Sequence, residues 1–401
     1  MAINKAKIYN QWLDDVYNAN STTLDWENSP NIRMVGGNTV SIPTITTSGN
    51  RTYDRSNGFS RSTGNLTWKD YTFDYDRSFE YLVDAMDQDE TNNVYTVTAV
   101  LDNHVKNQEV PETDSLRYAK VFQAIVNDDE VKYGYYTLDK ATVYSTFMTD
   151  VTNIRKVKGH VPLRAKMSES AFGVLSASTE LSKQMMVQVP SGTNEVNVES
   201  YKINGVEIDV VPDDRMVTEI GLLEPGFEIK DWAQYMNWLI YAPGSIVAAK
   251  KRNEIKQFPN GSHTEGDGDL VQGRMFHGVW TLEHQKEMIR VSLKTADAPT
   301  IDDLGGAVVA GSGKVTITLG NAFTNREEGH EFYYLDTDSA TAPTAPKVYD
   351  EIDLDGDGYT KITKATDNDV AVAASDYCVV VAVDENKRVI GYSAVAAAAA
   401  E

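Results

Sequence analysis

Cysteine is nearly absent from this chain of 401 residues: the single one, Cys378, excludes any disulfide within it. It sits in the apolar run YCVVVAV, with no adjoining basic residue to stabilise a thiolate, and so reads as a buried structural thiol. Long apolar runs are also missing, and no stretch approaches the roughly 20 residues a bilayer-spanning helix requires. The N-terminal segment carries no apolar core of the signal-peptide kind, which gives the expectation of a protein made in a cytoplasm and not held by a membrane. Cations are in deficit: 37 Lys and Arg stand against 59 Asp and Glu, a formal charge of −22. Phosphate binding depends on clustered Lys and Arg, so the chain as a whole is not built to grip nucleic acid. If it encloses nucleic acid, it does so as a wall. No GxSxG elbow, Walker loop or dinucleotide fingerprint occurs in the required strand-turn-helix setting. The six histidines are scattered, and His277 and His284, seven apart, have no carboxylate arrangement that would make a zinc site. The expectation is a protein that is not an enzyme and uses no cofactor.

What the sequence does hold is an arrangement of building elements. Ile8, Trp12, Leu13 and Val16 form a short helical stripe, followed by a polar segment up to Pro30 that reads as an arm packing on something else. From Asn38 an outgoing strand leads to a Gly/Ser/Asn/Arg-rich tip, where Asn57-Gly58 is a turn signal. A returning strand follows from Leu66, with Tyr71, Phe73 and Tyr75 on one face. The pattern predicts a long hairpin arm. Asp89-Glu90-Thr91-Asn92 then offers capping side chains, and Val94, Val97, Leu101 and Val105 fall on one helical face. Pro111 predicts a break or kink before a second stripe, Leu116, Ala119, Phe122 and Val126.

The middle of the chain predicts alternating helices and strands: TLDKATVYSTFMTDVTNIRK and ESAFGVLSASTELSKQ helical, GHVPLRAKMS extended, YKINGVEIDVVP a hairpin turning at Asn204-Gly205. MNWLIYAP reads as a buried strand, SIVAAKKRNEIKQF as a helix capped by Ser245, and EMIRVSLK as an alternating strand. At Ala298-Pro299-Thr300 the composition shifts to Ala, Thr, Gly and Asp, and short strands dominate from there. The fold class is therefore α+β, with an expected domain of residues 1–298 and an all-β sandwich of immunoglobulin-like type over 299–401.

Two features bear on binding. In DLDGDGYTKITK, Asp353, Asp355, Asp357 and Gly358 match positions one, three, five and six of a calcium loop, but Lys364 occupies the position where a bidentate Glu is needed. The segment reads as an Asp/Gly-rich turn, with a looser surface calcium site on Asp353, Asp355 and Asp357 as the alternative expectation. The second feature is charge polarity. From Ser48 to Lys69, Arg51, Arg55, Arg61 and Lys69 oppose only Asp54, whereas residues 84–114 hold eight carboxylates, Asp84, Asp87, Asp89 and Glu90 among them, against Lys106. A basic tip and an acidic helix start on one chain predict head-to-tail contacts between copies through these residues.

The stretches GGNTVSIPTITTSGNRTYDRSNGF, DYDRSFEYLVDAMDQDETNN and EVPETDSLRYAK, followed by INGVEIDVVPDDRM and MNWLIYAPGSIVAAKKRN, resemble the major capsid proteins of tailed bacteriophages, which share the Hong Kong 97-type fold. The resemblance covers about residues 1–295 and implies an N-terminal arm (1–37), an extended loop (38–82), a spine helix region (88–128) and an axial domain within 137–235. It further implies that the chain assembles with itself into pentamers and hexamers of an icosahedral shell around DNA, without sequence-specific binding, alongside scaffold, portal and decoration proteins. The place implied is the virion, after synthesis in the host bacterial cytoplasm. The C-terminal sandwich would be an outward-facing decoration. The same fold would serve an encapsulin-like nanocompartment shell, and a surface adhesion or structural protein built round the sandwich is an alternative of another class.

Overall fold

The structure is a computed structural model that describes residues 16–27, 32–53, 55, 59, 61–91, 95–128, 133–178, 187–188, 200–324, 326–366 and 368–398. It divides into two compact units. The first comprises residues 1–132, 140–216 and 238–291, the second 133–139, 217–237 and 292–401. Residues 133–139 and 217–237 fall in one unit with the strands that follow the boundary expected at residue 298. Within the second unit the Tyr135 hydroxyl donates to the Val348 carbonyl, and Thr218 Oγ1 lies 2.8 Å from the Tyr349 hydroxyl.

The first unit begins with the predicted hairpin. Strand Thr39–Thr47 pairs antiparallel with Gly64–Thr72 over its whole length, from Thr39↔Thr72 to Thr47↔Gly64, and Arg33–Val35 adds a short third strand at its base. Asn57-Gly58 lies outside the described residues. The returning strand is not continuous: it stops at Thr72, and a separate strand, Tyr75–Asp84, joins a different sheet. That sheet is led by a long hairpin, Ile246–Phe258 with Gly268–Thr281, and Tyr75–Asp84 pairs on the far side of the latter.

SIVAAKKRNEIKQF, expected as a helix, is thus a strand. Its Ala, Lys and Glu residues favour helix, but the preference is worth only tenths of a kcal/mol per residue. Pairing along Gly268–Thr281 and the burial of Ile246, Val247, Ala248 and Ala249 outweigh it. Ser245 caps nothing, and its hydroxyl donates to the Ala242 carbonyl at 2.7 Å.

The acidic segment forms the short helix Ala85–Glu90, capped by Asp84, which accepts from the Met86 amide at 2.8 Å. The spine then runs as Val97–His104, a wide π turn Val105–Glu109, and Val110–Val126. Pro111 was expected to break or kink the spine and to stand near the first turn of the second stripe. The helical course does not break, but the hydrogen-bond ladder is altered just before the proline: the Val110 amide reaches back five residues to the Val105 carbonyl, and Pro111, which has no amide to donate, stands in the first turn of Val110–Val126 as expected. Val97, Leu101, Val105 and Val110 bury against Tyr17, Val83 and Val271, while Val94 lies outside the described residues. Leu101→Asp is expected to cost several kcal/mol, because it places an unpaired carboxylate in this cluster. A soluble variant with an unchanged thermal melt would refute that placement.

Helix Val143–Lys158, strand Leu163–Ser168 and helix Glu169–Ser176 match their sequence patterns. Ser200–Ile203 and Val206–Val211 form the predicted hairpin, with Asn204 at φ 51° and Gly205 at φ 82° as a two-residue turn with both centres left-handed requires.

In the second unit, the described residues after 299 make two small antiparallel sheets. One has three strands, Ala307–Gly311, Lys314–Thr318 and Asn368–Ala371. The other has four: Thr360–Lys361, Glu331–Asp336, Tyr377–Val383 and Val389–Ala396. Tyr377–Val383 is a central strand of the latter and nearly all buried, which accounts for its unbroken apolar run. Burial pushes the Cys378 thiol up to about 12, consistent with an inert side chain.

Candidate functional site

The hairpin arm has two unlike faces because successive side chains alternate. On one, Val40 and Ile42 are buried against Ala249, Val247 and Leu282, with Tyr71 and Trp280 alongside. On the other, Pro43 pairs with Trp68 and Ile45 with Leu66. Ile45 is 74% exposed, Leu66 51% and Trp68 47%; at the tip Phe59 is 91% exposed, its ring edge-on to Tyr53 at 5.1 Å. A row of large apolar side chains is therefore held out to solvent by a two-stranded ribbon.

Arg51, Arg55 and Arg61 are exposed at the same end. Lys69 forms an exposed ion pair with Glu283, within the first unit. Asp84, Asp87, Asp89 and Glu90 are brought together on the helix Ala85–Glu90 and its cap. Pairing of Gly268 with Asp84, and the Ala85 amide donating to the Asp267 carbonyl at 3.0 Å, seat the turn of the long hairpin beside them. Glu265, Asp267 and Asp269 thereby join the acidic surface. Sequence reasoning missed these three, which lie some 180 residues further along and show no local signal beyond an Asp/Gly-rich turn.

Sequence reasoning also missed a buried clamp. Asp114 and Arg117, in the middle of Val110–Val126, are completely buried. Asp114 accepts from Ser21 Oγ at 2.9 Å, Thr23 Oγ1 at 2.7 Å, the Thr22 amide at 2.9 Å, Thr22 Oγ1 at 3.0 Å and Arg215 Nη1 at 3.1 Å. Arg117 donates to Thr23 Oγ1 at 2.9 Å and to Glu27 Oε1 at 2.6 Å. Lys250 also meets Glu27, at 3.1 Å, and lies 3.5 Å over the Tyr17 ring.

Next to this set, Lys166 bridges Asp25 at 3.0 Å and Asp209 at 2.7 Å, and Trp26 stands edge-on between Tyr118 and Tyr241. Burial raises the Asp25 pKa, but Lys166, the Tyr241 hydroxyl and Arg164 outweigh it and hold the carboxyl below its ordinary value. Burial alone would lower Lys166, yet Asp25 and Asp209 keep it above its usual range. Every carboxylate in the clamp faces cations or hydroxyls, so the arrangement fastens residues 16–27 to the spine and sheet. It contains no nucleophile paired with a base. Of the segment read as an arm packing on something else, residues 16–27 pack on their own unit, while Ile8, Trp12 and Leu13 lie outside the described residues.

The calcium alternative falls in the second unit. Asp353 turns back on its own loop, accepting from the Gly356 amide at 2.9 Å, and Asp355 stands in solvent with Lys387 at 4.0 Å. Among the described residues no three Asp, Glu, His or Cys side chains form a group that could hold a metal ion. Asp353, Asp355 and Asp357 are thus on one loop without being gathered into a cage. His277 is buried on the strand Gly268–Thr281. The side chain of His284 lies outside the described residues.

No protein-family model and no curated protein matches the chain. Solved structures similar to it include the mature capsid of bacteriophage PhiM1, at 14% identity over 69% of this chain and 86% of that one, with a TM-score of 0.43. The capsid of cyanophage P-SCSP1u is similar at 11% identity over 65% and 84%, TM-score 0.46. A virus-like particle from Pyrococcus furiosus is similar at 11% identity over 70% and 95%, TM-score 0.39.

Proposed function

We propose that this chain is the shell-forming subunit of a tailed bacteriophage head, a major capsid protein of Hong Kong 97-type fold that assembles with copies of itself around DNA. The observation that carries the reading is the hairpin arm. A protein that worked alone would gain nothing by holding Ile45, Leu66, Trp68 and Phe59 in water, whereas a subunit that lays the arm on its neighbour buries them. The clamp, which fastens residues 16–27 to the spine, supports a stoichiometric role. The net charge of −22 suits a wall that encloses DNA without gripping it. The finer reading, that the seven short strands after residue 299 form an immunoglobulin-like decoration, rests on their division into sheets of three and four. Electron microscopy of the purified protein is expected to show closed shells. A monomer at high concentration, with or without scaffold, would overturn the proposal.

Docking of Arg51, Arg55 and Arg61 on the acidic surface of the next copy, at Asp84, Asp87, Asp89 and Glu90 with Asp267 and Asp269, would set the register of the arm. Reversing Arg55 and Arg61 to Glu is expected to weaken assembly, and high salt to mimic the change, since exposed pairs are screened beyond about 8–10 Å. Light scattering that shows equal assembly and equal salt dependence in both proteins would leave apolar and backbone contacts as the sole holding forces.

A further inference from the structure

Within the second unit, the segment 217–237 meets the C-terminal strands at a carboxylate with little cationic company. Glu219 Oε2 accepts the Trp232 indole N–H at 2.8 Å, the one hydrogen bond the carboxylate makes among the described residues. The neighbouring cation, Lys230, is already engaged by Glu228 at 3.1 Å and Glu327 at 3.2 Å. Glu327 faces Glu219 from the loop before Glu331–Asp336, and Asp384 from the turn after Tyr377–Val383. The loop sits directly on that turn: a Cβ placed on Gly329 would stand 2.9 Å from the Glu385 Cβ. Asp384 is committed to the turn itself, accepting from the Asn386 and Arg388 amides at 2.8 Å each. The Arg388 guanidinium points to Glu351, at 3.4 Å, and Lys387 to Asp355. Tyr349, also near Glu219, has its hydroxyl on Thr218. His330 completes the surroundings, edge-on to the Trp232 ring at 4.9 Å and near Glu327, Asp384, Glu385 and Lys230.

We propose that Glu219 is a proton-operated latch. Protonated, it lets the segment 217–237 close on the loop at Glu327 and the turn at Asp384; ionised, it makes a third carboxylate in the same place and loosens the closure. The latch is independent of whether the chain assembles. Burial first, then the charges of Glu327 and Asp384 against the opposing Trp232 hydrogen bond and Lys230, pushes the Glu219 carboxyl up to about 7. An unfolded chain keeps the ordinary carboxyl value of about 4.3. The stabilisation is therefore complete below that value and lost as pH rises through about 7. His330 acts in the opposite sense and at lower pH. Burial holds its pKa below the ordinary value, so its contribution is present above about pH 6.5 and lost on acidification.

Thermal melting of the full-length protein between pH 5.5 and 8.5 tests the latch. The wild-type melting temperature should fall by several degrees as pH rises from 5.5 to 7 and level off above about 7, and Glu219→Gln should remove that fall. Trp232→Phe takes away the hydrogen bond that favours the ionised carboxylate, so its fall should continue to higher pH before levelling off. This second variant decides the matter if the first does not fold. Parallel profiles for wild type and Glu219→Gln, or an unmoved levelling point in Trp232→Phe, would overturn the proposal.

Discussion

Replacing Asp114 by Ala is expected to destabilise the first unit by about 3–5 kcal/mol, the usual consequence of removing one partner of a buried charge set. The loss takes the carboxylate from Arg215, which has Asp114 at 3.1 Å, and removes a negative charge near the wholly buried Arg117, leaving it Glu27. Ser21, Thr22 and Thr23 lose their common acceptor at the same time, so the segment 16–27 loses its hold on the spine. Asp114→Asn keeps the shape and part of the hydrogen bonding but not the charge, and should fall between wild type and Ala. Asp76→Asn is the control: Asp76 pairs with Arg274 at an exposed site, where loss of a pair is worth about 1 kcal/mol or less. Urea unfolding of the three variants measures the order. A cost of under about 1 kcal/mol for Asp114→Ala would show that the clamp is not a fastening.

Acid should attack the same region. Burial, with Arg117 and Lys250 nearby, holds His277 well below its ordinary value. The unfolded chain therefore takes up protons on this side chain first, and its stabilising contribution, complete above about pH 6.5, is lost as pH falls towards the folded value.

On the proposed function, the double change Ile45→Asp with Trp68→Asp is expected to leave the chain folded and prevent its assembly. Both side chains stand on the outward face of the hairpin, so neither contributes to the core. Burying one large apolar side chain contributes roughly 1.5–3 kcal/mol, which is about 10- to 150-fold in association. Two such losses, together with carboxylates forced into the contact, should raise the concentration needed for assembly at least ~100-fold. Ile42→Asp, on the inward face of the same strand, should instead unfold the base of the arm, because Ile42 packs on Val247 and Leu282. Sedimentation and circular dichroism separate the two effects. Assembly of the double variant at the wild-type concentration would exclude this face as an interface.

Elements whose instructions are local were legible in the chain. The period-two pattern of the hairpin, the Asn204-Gly205 turn and the three-and-four spacing of Val97, Leu101 and Val105 each carry their own geometry, so a window of a few residues suffices to read them. Where local preference was weak, partners elsewhere in the chain decided. Ile246–Phe258 became a strand because Gly268–Thr281 lies beside it, and Pro111 stayed within the helical course because a wide turn at Val105–Glu109 precedes it.

Composition and order alone determined that the chain carries no disulfide, that it is strongly acidic, and that a basic hairpin tip precedes an acidic helix start. They also determined the face on which Ile45, Leu66 and Trp68 would lie once the strands paired, since strand side chains must alternate. Only the tertiary structure decided that this face is bare, that Glu265, Asp267 and Asp269 join the acidic surface, and that Asp114 and Arg117 are buried against residues 21–27. The physical reason is that exposure, and the pairing of charges nearly a hundred or more residues apart, depend on which surfaces meet, and no local periodicity encodes that.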